Sequence, residues 1–249
     1  MKLDKKIAIV TGAGRNIGEA IGHAFVAEGA SVALVDVRLD AAQAVANAIN
    51  ATNPGRAIAI SADVSSGPAV QEMVSSTVAA FGGVDILVNN AAVTDHTPCL
   101  ELEEDEWDLV IDVTLKGVFL CVKYAGRQMR DQGRGGRIIN IVSEVYHRSV
   151  SPFSAYVAAK GGQIGWTRSM ASELASWGIT VNMVAPGWIP TERHENDPQQ
   201  DKDAYLALVP MGRWGVPRDI GDAVLYLASD EASFVSGQTL CVNGALTPW

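Results

Sequence analysis

The chain has 249 residues, of which 48% are hydrophobic and 19% are charged, and this composition suffices for a buried core in one α/β domain. Its formal net charge of −9 argues against an extended nucleic-acid surface, which needs clustered Lys and Arg. No apolar run approaches the ~20 residues of a membrane span, and the first apolar run is too short for a secretory signal. We therefore expect a soluble, cytoplasmic protein that acts on small molecules.

Seven short β-branched runs predict strands, and the amphipathic stretches between them predict helices. Strands that alternate with helices form βαβ units, and helices then cover both faces of the sheet, so the strands can be apolar throughout. The sequence predicts the α/β class: a doubly wound Rossmann-type fold with a mostly parallel seven-stranded sheet in one domain, residues 1–249, including a substrate lid at residues 187–217. The predicted strands are residues 6–10, 31–35, 57–60, 85–88, 137–142, 180–184 and 239–242.

A glycine-rich turn follows the first predicted strand and opens directly into a helix. Glycines permit a tight turn and a close approach of the backbone, while the N–H groups and the dipole at the start of the helix stabilise a pyrophosphate. The position at the first βα junction favours dinucleotide binding over an ordinary strand-to-helix turn. The predicted contacts are Gly12, Gly14, Arg15, Asn16, Ile17 and Gly18.

The second strand leads to Asp36, about 20 residues beyond the glycine turn, where a carboxylate can accept hydrogen bonds from an adenosine ribose. The same charge repels a 2′-phosphate, so we expect NAD(H), with NADP(H) less favoured, although Arg15 and Arg38 could offset the repulsion. The alternative is a solvated residue at a strand end. The glycine turn upstream favours the ribose contact.

Tyr156 and Lys160 are four residues apart, so they share one face of a helix. A phenol has an ordinary pKa of about 10 and becomes a useful acid/base near neutrality only if a neighbouring cation stabilises the phenolate. Ser143 follows the strand at residues 137–142, at the sheet edge where open α/β sheets bind ligands, and can hydrogen-bond a substrate oxygen. A Tyr-x-x-x-Lys pair also occurs by chance on surface helices, so the catalytic interpretation of this pair depends on the other motifs.

The order of these motifs resembles the short-chain dehydrogenase/reductase family over nearly the whole chain. The resemblance implies Tyr156 as the acid/base, Ser143 as the partner of the substrate oxygen, and Lys160 as the group that holds the cofactor ribose and the phenolate. The matching motifs are Thr11-Gly12-x-Gly14-x-x-Ile17-Gly18, Asp63-Val64, Asn89-Asn90-Ala91, Ser143, Tyr156-x-x-x-Lys160 and Pro186-Gly187.

The same resemblance implies the remaining contacts. Asp63 and Val64 would meet the adenine, Asn90 would stabilise the cofactor site, and Thr191 would meet the nicotinamide carboxamide. The resemblance also implies a homotetramer, with the helices around residues 107–130 and 154–177 packing between subunits. Tyr156, Pro186, Gly187 and Ile189 complete the predicted cofactor contacts.

One catalytic position departs from the family. Thr114 stands where members commonly carry an Asn that supports a water linking the Lys to solvent. A shorter hydroxyl would keep a weaker proton relay or lose it.

The residues that follow the strand ends are candidates to line the substrate pocket, and among them Glu144, Tyr146 and His147 could bind the hydroxyl groups of a sugar or polyol. The alternative is a solvated loop, with Trp188 as packing. The cysteines lack CxxC spacing and the histidines form no cluster, so no metal is expected. The remaining pocket candidates are Val93 with residues 94–96, and Trp188.

The sequence therefore predicts an NAD(H)-dependent enzyme that interconverts a secondary alcohol and a carbonyl by hydride transfer. One alternative is an NADP(H)-dependent carbonyl reductase. Elimination or dehalogenation on the same fold is disfavoured by the intact glycines and Asp36. A dinucleotide-binding subunit with decayed catalysis is disfavoured by Ser143, Tyr156 and Lys160.

Overall fold

The computed structural model describes residues 1–148, 150–191 and 197–248, and within these residues seven strands form one sheet. The strand order is β3-β2-β1-β4-β5-β6-β7, and every neighbouring pair is parallel. The predicted doubly wound class is confirmed, and the predicted strands agree with the observed ones to within two residues at each end. The strands are β1 (Ile7–Thr11), β2 (Ser31–Asp36), β3 (Ala57–Ser61), β4 (Ile86–Asn89), β5 (Gly136–Ile141), β6 (Ile179–Pro186) and β7 (Thr239–Val242).

Helices connect these strands and cover the sheet. A π-helical turn, Asp112–Lys116, joins the fourth helix to the fifth and carries Thr114. None of the helices in the described part of the chain is long and apolar enough to cross a membrane. The helices are α1 (Asn16–Ala27), α2 (Leu39–Thr52), α3 (Gly67–Phe81), α4 (Glu104–Ile111), α5 (Gly117–Gln132), α6 (Val145–Arg148), α7 (Ser154–Leu174), α8 (Gln199–Leu208) and α9 (Pro217–Ala228).

Apolar side chains fill both sides of the sheet. On one face, Val10 of β1 belongs to a cluster with Phe25 of α1 and Val224 of α9. On the other face, Ile9 belongs to a cluster with Met129 of α5. Because successive strand residues point to opposite faces, a strand covered on both sides must be apolar at every position.

The order in which successive strands join the sheet reverses between β1 and β4. From β1 the chain continues outward to β2 and β3, then returns to β4 on the other side of β1. In open α/β sheets, ligands bind outside the carboxyl ends of the strands at such a reversal. The fold therefore puts the expected ligand crevice next to the glycine turn.

The proposed domain organisation stays a prediction. Residues 192–196, within the predicted substrate lid, lie outside the described residues. Residues 187–191 and 197–217, which include α8, are the described parts of that segment.

Candidate active site

The predicted site residues lie at the carboxyl ends of the first six strands. The glycine turn continues from Thr11 at the end of β1, and Asp36 ends β2. The parallel direction of the strands brings these ends to one edge of the sheet. The other members are Asp63 and Val64 after β3, Asn90 after β4, Ser143 after β5, and Pro186 at the end of β6.

The three glycines of the turn allow close contact with the neighbouring strands. Gly12 has a φ of +61°, and a Cβ there would lie 2.9 Å from the Ala91 Cα. A Cβ at Gly14 would lie 2.9 Å from the Asp36 Oδ2, and a Cβ at Gly18 would collide with the main-chain oxygen of Gly12. The turn therefore forms the close-fitting backbone cradle that a pyrophosphate requires.

The turn leads directly into α1. Arg15 is the N-cap, Asn16 begins the helix with a φ of +54°, and Ile17 packs against the core. The Arg15 side chain does not cap the first N–H groups of α1. The positive end of the helix dipole there favours an anion.

Asn90 ties the end of β4 to the glycine turn. Its Nδ2 donates to the main-chain oxygens of Thr11, at 3.0 Å, and Gly12, at 2.9 Å. The hydroxyl oxygen of Thr11 accepts in return from the main-chain N–H groups of Asn90 and Ala91. These reciprocal bonds hold the turn in place without a ligand.

The Asp36 carboxylate is fixed at the end of β2. Its Oδ2 accepts from the Gly14 N–H at 3.0 Å, and its Oδ1 accepts from the Arg38 N–H at 3.0 Å. The side chain of Asp36 is 12% exposed, and the Arg38 Nε lies 4.0 Å from Oδ1. The negative charge therefore lies directly beside the glycine turn.

The two predicted adenine contacts differ in their surroundings. Asp63 accepts through Oδ1 from both the N–H and the hydroxyl of Ser65 and is exposed. Val64 is buried, and a Cβ at Gly117 of α5 would lie 2.8 Å from its Cγ2. Asp63 thus shapes the turn after β3, while Val64 packs below it.

Tyr156 and Lys160 lie on α7, whose start faces the same sheet edge. Lys160 is 2% exposed, its Nζ donates to the Ile141 main-chain oxygen at 2.6 Å, and it lies 5.4 Å from the centroid of the Tyr156 ring. Burial lowers the pKa of Lys160 to about 7. The Ser143 Oγ, two residues beyond Ile141, accepts from the Val145 N–H. The ammonium, the phenol ring and the end of β5 are therefore brought together.

The chain matches known proteins over nearly its whole length. The family model described as enoyl-(acyl carrier protein) reductase matches residues 12–247. The chain belongs to the short-chain dehydrogenase/reductase family. As a member of that family, it is a nicotinamide-dependent oxidoreductase.

Two relatives carry the same printed name, 3-oxoacyl-(acyl-carrier-protein) reductase FabG. The protein from Staphylococcus epidermidis is 43% identical over 242 residues, which cover 97% of this chain and 98% of that protein. The protein from Vibrio cholerae is 40% identical over 246 residues, 99% of each chain. The crystal structure of "a putative short-chain alcohol dehydrogenase" from Sinorhizobium meliloti 1021 is 33% identical, with a TM-score of 0.94 over 98% of this chain and 97% of that one.

Thr114, the departure from the pattern of this dehydrogenase/reductase family, is fully buried in the π-helical turn. Its hydroxyl donates to the Val93 main-chain oxygen and accepts from the Val93 N–H, each at 3.1 Å. Its own main-chain oxygen accepts from the side-chain amide of Gln163, which is also buried. Thr114 thus links the loop after β4 to α7, and its part in a proton relay stays a prediction.

Asp95, in the loop after β4, holds the start of the helix that carries Tyr156. This carboxylate is fully buried, and its oxygens accept from the N–H groups of Ala155, at 3.1 Å, and Tyr156, at 2.9 Å. A negative charge is stabilised at a helix start. Residue 95 was predicted only as a member of the pocket lining, because its partners are 60 and 61 residues away and no local pattern signals the contact.

The predicted substrate residues fall into two groups. Tyr146 and His147 are exposed, with ring centroids 4.9 Å apart, whereas Val93 is partly buried. Glu144 is 1% exposed and accepts from the Tyr205 hydroxyl and from Arg148. Trp188 is partly buried beside Tyr205.

The segment after β6 continues along the same edge. The Gly187 N–H donates to the Val242 main-chain oxygen at 3.0 Å, and Ile189 is buried in the core. Thr191 is partly exposed at the end of a described range. Within the described residues, no group of three or more His, Cys, Asp or Glu side chains could hold a metal ion.

The low pKa of Lys160 predicts a pH-dependent stability for the cofactor-free protein. Between pH 7 and 10.5 the unfolded chain holds the Lys160 proton and the folded protein does not, so the free energy of unfolding rises with pH in this window. We expect Lys160→Met to lose this rise, by a few kcal/mol over the window, in urea unfolding curves. Lys116→Met, at an exposed lysine paired with Asp112, is the control and should follow the wild type. Parallel pH curves for Lys160→Met and wild type would contradict the assignment.

Proposed function

We propose that the protein is an NAD(H)-dependent oxidoreductase that interconverts a secondary alcohol and a carbonyl, with Tyr156 as the acid/base. The observation that carries this proposal is the buried Lys160 beside the Tyr156 ring, held by the end of β5 at the edge that also carries the glycine turn. A buried ammonium next to a phenol is costly, and a protein that only binds a dinucleotide has no use for it.

The glycine turn and Asp36 fit a dinucleotide. The Gly12, Gly14 and Gly18 backbone would hold the pyrophosphate, and the Asp36 carboxylate would accept hydrogen bonds from the adenosine ribose. The nicotinamide supplies hydride transfer when it is bound.

Tyr156 would carry the proton. In alcohol oxidation its phenolate oxygen takes the proton of the substrate hydroxyl, and in carbonyl reduction its hydroxyl returns that proton. The Lys160 ammonium stabilises the phenolate, and the phenolate in turn favours the protonated form of this buried amine. Ser143 would donate its hydroxyl to the substrate oxygen and orient it.

Removing the phenol hydroxyl tests the assignment. We expect Tyr156→Phe to lower kcat by about 100-fold or more, because the variant cannot exchange a proton with the substrate. NADH binding, followed by fluorescence, should stay within about twofold. Tyr226→Phe, at an exposed tyrosine on α9, is the control and should turn over at the wild-type rate. Equal rates for Tyr156→Phe and Tyr226→Phe would remove Tyr156 from the mechanism.

The preference for NAD(H) is supported by the position of the Asp36 carboxylate beside Gly14. We expect Asp36→Ser to shift the ratio of kcat/KM for NAD⁺ and NADP⁺ by at least about tenfold toward NADP⁺, because a like charge next to a 2′-phosphate is removed. Asp40→Ser, four residues further on and exposed in α2, should leave the ratio unchanged. A wild type that already prefers NADP⁺ would overturn the NAD(H) proposal.

Two substrate classes remain for this site. The sugar or polyol predicted from residues 144–147 has weaker support, because Glu144 is already bonded to Tyr205 and Arg148. A 3-oxoacyl thioester is the second candidate, supported by relatives at 40% and 43% identity that are named 3-oxoacyl-(acyl-carrier-protein) reductases.

Absorbance at 340 nm separates the two classes. Polyols, sugars and secondary alcohols are offered with NAD⁺ and with NADP⁺, and acetoacetyl-CoA is offered with NADH and with NADPH. We expect consumption of the reduced cofactor with the thioester to exceed turnover of any polyol. Turnover of a polyol without turnover of the thioester would favour the sugar or polyol as the substrate class. Silence on all substrates despite cofactor binding would contradict the oxidoreductase proposal.

The homotetramer stays a prediction. It is supported by large apolar side chains that are exposed on the helices expected to pack between subunits, since exposed apolar groups mark interaction surfaces. These side chains are Trp107 on α4, Phe119 on α5, and Trp177 just after α7.

A further inference from the structure

Tyr205 is the buried residue of the otherwise exposed or partly exposed helix α8. Its hydroxyl donates to the Glu144 Oε1 at 2.8 Å and accepts from the Trp188 main-chain N–H at 2.7 Å. Burial raises the pKa of Tyr205, so the hydroxyl stays protonated and remains a donor at neutral pH. One side chain thus joins α8 to both the end of β6 and the end of β5.

Glu144, which accepts the hydrogen bond of the Tyr205 hydroxyl, lies after β5 and directly follows Ser143. Its main-chain N–H donates to the Pro186 oxygen at 3.1 Å, and its Oε1 also accepts from the Arg148 Nη1 at 3.1 Å. Among the described residues, its buried Oε2 has no hydrogen-bond partner. Because a buried carboxylate is costly to desolvate, the donors Tyr205 and Arg148 are needed to offset that cost.

Aromatic contacts extend this connection. The Tyr205 ring stacks on Trp214, with centroids 5.3 Å apart and planes at 7°, and meets the Trp188 ring edge-on at 5.2 Å. A Cβ at Gly187 would lie 2.7 Å from the Tyr205 hydroxyl oxygen, so only glycine permits this approach. The guanidinium of Arg148 lies 5.0 Å from the Tyr205 ring centroid.

We propose that Glu144 and Tyr205 are positioning residues that fix α8 and the aromatic pair Trp188 and Trp214 beside Ser143, and thereby set substrate affinity. The inference rests on the proposed function through the role of Ser143 as the partner of the substrate oxygen. Neither residue is assigned a part in proton transfer, because Tyr156 and Lys160 are held independently by Asp95 and Ile141.

The hydrogen bonds of Tyr205 predict that their loss changes the substrate KM more than kcat. Tyr205→Phe removes the donor to Glu144 and the acceptor of the Trp188 N–H together, so α8 loses both hydrogen bonds of Tyr205 while the ring contacts remain. A lost hydrogen bond to a buried charged group corresponds to about a tenfold change in affinity. We expect Tyr205→Phe to raise the substrate KM about tenfold and to leave kcat within about threefold.

A double-mutant cycle tests the pair itself. Glu144→Ala should raise KM by a similar factor, and Tyr205→Phe combined with Glu144→Ala should be no worse than either single variant. Glu144→Gln retains an acceptor for the Tyr205 hydroxyl and should restore most of the wild-type KM. Additive effects in the double variant, or a kcat that falls as far as KM rises, would overturn the proposal.

Hydrogen exchange provides a read-out that needs no turnover. Peptides that cover α8 should exchange faster in Tyr205→Phe than in wild type, while peptides from α7 should not change. Tyr226→Phe on α9 is the matched control and should leave exchange in α8 unchanged. Unaltered exchange in α8 of Tyr205→Phe would overturn the inference even in an enzyme whose substrate is not found. Silence of the wild type on every substrate would count against the proposed function, and the exchange experiment would still decide this inference.

Discussion

Every candidate functional side chain in this protein depends on the parallel direction of the strands. Parallel strands deliver their carboxyl ends to one edge, and the reversal of strand order between β1 and β4 leaves a crevice there. The cost of this arrangement is that both faces of the sheet must be covered by helices. The two apolar clusters, one on each face, meet that requirement.

Buried polar groups as well as apolar packing hold the helix α7 in place. Lys160 bonds to the main chain of β5, Thr167 accepts from Asn140 of β5, and Gln163 bonds to the π-helical turn. Buried polar groups are costly unless they are paired, so each bond specifies one position of the helix along the sheet. Apolar packing alone would tolerate a small slide of α7, which would move Tyr156 and Lys160 together away from the end of β5.

The strands are predicted well from the sequence, and the glycine turn lies where the sequence predicts it, because both depend on local signals. Continuous apolar runs identify buried parallel strands, and the glycine turn is recognised by its place directly after β1. Asp95 and Tyr205 carry no such signal. Asp95 bonds to Tyr156 and Tyr205 bonds to Glu144, in each case 61 residues away. A single Asp in a loop or Tyr in a helix has the same local pattern whether it faces solvent or a buried group. The π-helical turn is likewise invisible to a search for helical periodicity, which assumes a regular spacing.

The short loop after β4 is pinned at three points. Asn90 holds the glycine turn, Val93 is bonded in both directions to Thr114, and Asp95 holds the first turn of α7. A segment that is hydrogen-bonded at every second or third residue cannot shift at one end without shifting at the other. The glycine turn and the start of α7 are therefore joined through six residues of chain. A ligand that displaced the turn would also displace the main chain at Tyr156, and by thermodynamic reciprocity a change at Tyr156 would then alter the affinity for that ligand.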